Sequence, residues 1–198
     1  MSLKLIYMAQ TRATRPRWVL EELGVPYELV SLGRSDLKSE ANSHPLKQVP
    51  ALVDGDQTII ESAAIALYLA DKFADKGLAP ALDSPARGDY YQWTFYAMTM
   101  IETKLVDIFL NTVADFVPAD QKKPEVAEAA KAALPALWQP LAAHLAKQDY
   151  VAGAFSAADC VVSLIVGWGF KMRVCADPVL SAYLKRCTSR PAFAKANA

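Results

Sequence analysis

"QVPALVDGDQTIIESAAIALYLADKF", residues 48–73, is the stretch on which the fold turns. Two short apolar runs, 50–54 and 58–61, flank Asp54, Gly55 and Asp56. A glycine-containing turn between two such runs reads as a hairpin, so these strands are antiparallel. From Ser62 the period changes, and Ile65, Leu67, Tyr68 and Leu69 fit a helix with a wide apolar face. Two features at the seams need explaining. Pro50 opens a strand although it has no N–H to give to a ladder, which confines a proline to an edge or a strand start. Glu61 and Ser62 stand where strand becomes helix. A serine there is an ordinary N-cap, and the free N–H groups of the same helix terminus form an anion site.

Upstream, "LKLIYMA" (3–9) is a short buried strand and "TRATRPRWVLEELG" (11–24) reads as a helix. Trp18, Val19 and Leu23 recur at helical spacing, Pro16 suits the first turn, and Gly24 supplies a left-handed cap. "YELVSL" (27–32) follows closely as a second strand, so the unit is βαβ with parallel strands. Residues 33–47 are polar and carry no assignable element. The order βαβ, connection, ββα is the thioredoxin-like arrangement.

Downstream, Gly77, Pro80 and Pro85 break all periodicity. Everything beyond reads as helix: 86–110, 124–148 with kinks expected at Pro135 and Pro140, the almost wholly apolar 156–174, and 178–190. The expected organisation is a thioredoxin-like α/β domain over residues 1–76, a linker over 77–85 and an all-α helical bundle over 86–198.

Composition narrows the function classes. Hydrophobic residues make up 53% of the 198 and charged residues 21%, as in an ordinary globular protein. Twenty-one basic residues balance twenty-one acidic ones, so net charge argues for neither nucleic acid nor an anionic membrane. No apolar run approaches a membrane span, and "MSLKLIYMAQ" is too soon polar for a signal peptide, which makes the cytoplasm the default location. Cys160, Cys175 and Cys187 are odd in number and widely spaced, which reads as buried thiols rather than a disulfide framework. His44 and His144 lie far apart, so no metal site is expected and both read as structural. In "FSAAD" (155–159), Ser156 and Asp159 form a capping-box start with Phe155 as its staple onto Cys160, a structural motif despite the Ser/Asp pair.

Four stretches in this order resemble the cytosolic glutathione S-transferases, in particular bacterial-type members: "TRATRPRWVLEELGVPYELV" (11–30), "HPLKQVPALVDGD" (44–56) with "ESAAIALYLADKF" (61–73), "GAFSAADCVVSLI" (153–165) and "SRPAFAKA" (189–196). The resemblance spans essentially the whole chain. It implies glutathione as cosubstrate, a cis bond before Pro50, and pairing of the Val49 main chain with the cysteinyl part of the tripeptide in a short version of strand addition. It also implies that Glu61 meets the γ-glutamyl ammonium, while the Ser62 hydroxyl and helix N–H groups meet its carboxylate. Gln48 would reach the glycyl carboxylate or a backbone group. Family members often carry lysine there, and here Lys47 stands ready to supply that charge, in place of the family's usual glycine at position 47.

A thiol with a pKa near 8.5 is only a few per cent thiolate at neutral pH. One hydrogen bond to the charged sulfur, worth roughly 1.5–3 kcal/mol, lowers that pKa by about one to two units. The resemblance places the donor in the loop after the first strand, where Thr11, Tyr7 and Arg12 are the candidates; no cysteine lies there. It also puts the electrophile between the two domains, against Tyr90, Trp93, Thr94, Tyr96, Ala97 and Met100 of the first long helix, most of which would be core.

The expected activity is transfer of glutathione to small electrophilic, largely apolar molecules, in detoxification, by a cytoplasmic homodimer. The alternatives are a non-catalytic glutathione- or protein-binding relative, which threonine in place of serine or tyrosine keeps open, and a glutathione-dependent isomerase or peroxidase.

Overall fold

A computed structural model of the chain describes residues 3–198. Its first part is a four-stranded sheet in the order β2-β1-β3-β4, with β1 at Leu3–Tyr7, β2 at Tyr27–Ser31, β3 at Ala51–Asp54 and β4 at Gln57–Ile60. β1 runs parallel to β2, as a right-handed crossover through helix α1 (Thr14–Leu23) requires. β3 pairs antiparallel to β1 and to β4, in register Leu5↔Leu52 and Leu52↔Ile59. Alternation along β1 splits its side chains between two faces. Leu3, Leu5 and Tyr7 join the main core with Trp18, Leu20 and Leu69, whereas Ile6 packs with Leu32 and Ala51 on the other side.

Helix α1 starts later than its periodicity suggests, at Thr14, because residues 11–13 are spent in a turn closed by the Thr11 side chain. Gly24, at φ 63°, ends it with its N–H on the Leu20 carbonyl. Helix α2 (Ser62–Lys72) follows β4 directly. The polar stretch 33–47 holds one 3₁₀ turn at Arg34–Asp36 and otherwise irregular loop.

Beyond residue 85 the chain is helical: α3 (Ala86–Tyr96), a π-helical turn (Ala97–Ile101), α4 (Glu102–Thr112), α5 (Pro124–Leu145), α6 (Ala157–Lys171), α7 (Pro178–Thr188) and α8 (Pro191–Ala196). The single helix read over 86–110 is therefore interrupted, and Pro135 and Pro140 lie inside the one helix α5. Two of the contacts that fix the first part against the second lie at its edges. Arg87 grips both Asp71 oxygens at 2.6 Å and the Pro80 carbonyl at 2.7 Å, clasping the connection between α2 and α3. Arg190 makes a two-pronged pair with Glu22 at 2.7 Å, beside Trp18, whose ring meets Phe193 edge-on.

Packing inside the bundle leaves one clear prediction. A Cβ on Gly169 would lie 2.6 Å from Cζ2 of Trp138, and that ring is held by its Nε1–H on the Val174 carbonyl. Overpacking costs about 1–3 kcal/mol, against about 1 kcal/mol gained from helix propensity. Gly169→Ala should therefore melt several degrees lower in a thermal scan. A higher melting temperature would mean that the indole moves aside freely.

Candidate functional site

The β1–α1 loop, the 44–50 segment, the β4–α2 junction and the α3–α4 helix converge on a cleft of about 420 Å³. On one wall stand His44, Gln48, Val49, Pro50, Glu61 and Ser62. On the other are Arg12, Met98, Glu102, Thr103, Val106 and Asp107. Among the described residues four non-glycine residues have positive φ; one of them, Glu61, lines this cleft, and Lys47 directly precedes its Gln48. Such conformations cost about 1–3 kcal/mol each and collect at functional sites.

The first wall is a display of unsatisfied backbone. The Val49–Pro50 bond is cis. Val49 lies just outside β3, and among the described residues neither its N–H nor its C=O takes part in a turn or loop hydrogen bond. At α2 the first intrahelical bond runs from the Ile65 N–H to the Glu61 carbonyl, which leaves the N–H groups of Ser62, Ala63 and Ala64 without helical partners. Ser62 is 2% exposed, and its Oγ accepts from Nη1 of Arg15 at 3.0 Å. Glu61, at φ 70°, is exposed and has no side-chain partner among the described residues. A carboxylate, a hydroxyl and free N–H groups at one helix terminus complement a zwitterionic amino-acid head.

The second wall is built on a buried ion cluster. Glu102, 3% exposed, receives Arg15 through two bonds (2.7 and 3.1 Å) and Nε of Arg12 at 2.7 Å. Burial alone would raise the Glu102 carboxyl; the charges of Arg15 and Arg12 overcome it and hold the pKa below the usual carboxylate range. Two guanidiniums sharing one carboxylate leave this cluster, taken by itself, one net positive charge; the carboxylates of Glu61 and Asp107 stand elsewhere on the cleft. Arg15 is buried, so the cluster's charge reaches the cleft through Arg12, whose side chain is 47% exposed and whose Nη groups have no partner among the described residues. The Arg12 guanidinium also lies 5.9 Å from the Trp168 ring.

Comparison with known proteins gives the family. The glutathione S-transferase N-terminal domain family matches residues 1–71, and the glutathione S-transferase C-terminal domain family matches residues 93–191. The chain belongs to the glutathione S-transferase family. It is 30% identical to glutathione S-transferase 3 of Zea mays, over 89% of this chain and 84% of that one. To glutathione S-transferase F9 of Arabidopsis thaliana it is 32% identical, over 88% and 86%. Among solved structures, the glutathione S-transferase from Xylella fastidiosa aligns with a TM-score of 0.84 at 25% identity, covering 98% of this chain and 96% of that chain. A sphingomonad glutathione S-transferase complexed with glutathione aligns at 0.80 and 29% identity, over 98% and 96%.

Within this glutathione S-transferase fold, the residues expected from sequence divide. Gln48, Val49, Pro50, Glu61, Ser62 and Arg12 come together on the cleft, whereas Lys47, Thr11 and Tyr7 do not line it. Lys47 turns away: its Nζ donates to the carbonyls of Asn42 (2.9 Å) and Ser39 (3.2 Å), which holds the loop through the left-handed residue. The Thr11 hydroxyl donates to the Met8 carbonyl at 2.7 Å and accepts from the Ala13 N–H, so its proton is already committed to shaping the turn. Tyr7 is 4% exposed on the helical side of β1, with its ring under the Arg17 guanidinium.

The electrophile wall also differs from expectation. None of Tyr90, Trp93, Thr94, Tyr96, Ala97 and Met100 lines the cleft. Tyr90, Thr94 and Ala97 are fully buried, the Tyr96 hydroxyl bonds the Leu137 carbonyl, and Met100 faces solvent. The face that does line it is the adjacent stripe Met98, Glu102, Val106, at four-residue spacing. That spacing was the available signal. A second was the pair Arg12 and Arg15, two cations at the loop and first turn of α1 with no acid between residues 8 and 20, which calls for a carboxylate from elsewhere. His44, read as structural, is also on the cleft.

Proposed function

We propose that this family member transfers the thiolate of glutathione to small electrophilic, largely apolar molecules. The observation that carries the reading is the pairing of the two walls. Unpaired Val49 backbone and the α2 terminus suit a peptide backbone and its amino-acid head, and the half-exposed Arg12 guanidinium lines the same cleft. Gln48, Val49, Pro50, Glu61 and Ser62 hold the tripeptide, and Arg12 stabilises its ionised sulfur. Thr11 acts by holding the loop that carries Arg12. Met98, Thr103 and Val106 present the more apolar part of the cleft to the electrophile. A cytoplasmic homodimer that uses the exposed Tyr91 and Phe95 of α3 belongs to the same reading; within the described residues no helix is long and apolar enough to cross a membrane.

Thiolate absorbance of the bound complex against pH tests it. A charge-assisted bond of about 1.5–3 kcal/mol corresponds to one or two pKa units. Arg12→Ala should raise the bound thiol's pKa by that amount, with glutathione still binding, whereas Tyr7→Phe should leave it in place. Binding with a free-thiol pKa in the unsubstituted protein would instead favour a non-catalytic glutathione-binding protein, the reading that the committed Thr11 hydroxyl supports.

A further inference from the structure

The stripe of α4 that lines the cleft does not stop where the cleft does. Val106 is on the cleft wall, and Phe109 and Val113 continue its face at steps of three and four residues. Phe116 follows just past the helix end. Val113 and Phe116 are 66% and 58% exposed. The Phe116 ring stands 6.1 Å from that of Phe109, and Phe109 stands 6.0 Å from Trp168 near the end of α6. Trp168 in turn lies 5.9 Å from the Arg12 guanidinium. Three neighbouring rings therefore lead outward from the cation assigned to the sulfur. Arg34, on the loop after β2, closes the far end, 5.7 Å from the Phe116 ring and 3.3 Å from Oδ1 of Asp115. Arg12 and Arg34 follow the adjacent parallel strands β1 and β2, so the run crosses the carboxyl ends of those strands, where open α/β sheets receive ligands.

One exposed apolar side chain needs no explanation, but a connected and partly open run of rings marks a binding surface. Its continuity with the cleft wall means that an occupant also reaches the sulfur. Asp115 already meets the charge of Arg34, so the far end asks for no anion. What the run offers is ring faces and edges, which favour flat aromatic groups over alkyl chains. We infer that Phe109, Phe116 and Trp168 make this protein selective for uncharged electrophiles that carry two aromatic rings, with the outer ring on Phe116. The inference rests on the transferase reading above.

Three α,β-unsaturated ketones of one chemistry test it on the full chain: methyl vinyl ketone with no ring, benzylideneacetone with one and chalcone with two. In each, the thiolate sulfur bonds to the β-carbon and the C=C pair moves through to the carbonyl oxygen. The enolate then takes up a proton equivalent to the one that the thiol released. Dividing kcat/KM by the uncatalysed rate constant with glutathione removes the difference in intrinsic reactivity. This enhancement should be about five- to a hundredfold larger for chalcone than for methyl vinyl ketone, the range for two aromatic contacts. Phe116→Ala should lower that ratio about three- to tenfold, and Phe116→Tyr, which keeps a ring, should restore it. Leu82→Ala, at another exposed apolar residue, should leave it in place. Equal enhancement across the series, a ratio that survives Phe116→Ala, or a loss shared by Leu82→Ala overturns the inference and leaves the transferase reading intact. Failure to accelerate any of the three overturns both.

Discussion

Replacing Asp159 by alanine is expected to remove roughly 3–6 kcal/mol of stability, a large part of the 5–15 kcal/mol a domain has in total. Asp159 is fully buried at the start of α6, and four donors converge on it. Oδ1 accepts the Val151 N–H at 3.0 Å and the Tyr183 hydroxyl at 2.9 Å, and Oδ2 accepts the Ser156 N–H at 2.9 Å and its Oγ at 3.0 Å. One carboxylate thus caps the central helix, closes the 151–156 turn and anchors α7. Burial lifts its pKa to about 6 while the four donors pull the other way. At pH 7.5 it is charged and fully coordinated. In the alanine variant the two hydroxyls can rotate, but the two backbone N–H groups cannot, and each unsatisfied donor costs about 1–3 kcal/mol. Asp159→Asn should recover only part of this, because its Nδ2 meets donors where an acceptor is needed. Urea unfolding at pH 7.5 measures the differences. A loss below about 1 kcal/mol for Asp159→Ala would mean that water replaces the carboxylate without penalty.

Asp159 also shows what could be read in advance. Ser156 and Asp159 are close in sequence, so their spacing exposes the cap; the Val151 and Tyr183 donors are distant, and nothing local announces them. The same division runs through the fold. The βαβ unit and the hairpin follow from local changes of period, because side-chain periodicity is a local property. That Gln48, Val49, Pro50, Glu61 and Ser62 share one wall of the cleft was legible for the same reason, since Gln48 to Ser62 is one continuous stretch. Its other wall was not. Which stripe of the α3–α4 helix faces the cleft depends on how the bundle packs, and the stripe of Tyr90, Trp93 and Ala97, with its two large aromatic rings, is buried in the core instead. Loop 33–47 has no period at all. Its path is set by contacts such as Lys47 to Asn42 and His44 to Leu46, which only the folded chain brings together.

Glu102 is where the two parts of the molecule meet, and its removal should be costly in a way that pH reveals. Glu102→Gln keeps the shape but leaves the buried guanidinium of Arg15 with only Ser62 Oγ and Met98 Sδ as partners. Breaking a buried pair from one side costs about 3–5 kcal/mol, because the surviving charge stays desolvated. Arg15→Met should cost a similar amount, and the double variant less than the sum by about 1–3 kcal/mol, since the second change removes the charge stranded by the first. The sign of the pH dependence follows from the depressed pKa of Glu102. The folded state holds the carboxylate ionised below its unfolded value of about 4.3, so its contribution is complete above that pH and fades as pH falls through the lower folded value. Unfolding curves of the unsubstituted protein and Glu102→Gln should therefore be widely separated at pH 7 and converge in acid. Parallel curves down to pH 3, or strictly additive single changes, would show that the cluster is a bystander. Convergence together with a weakened thiol shift in Glu102→Gln would mean that the carboxylate that joins the two parts also sets Arg12 in place, so that domain docking and thiolate stabilisation depend on one buried charge.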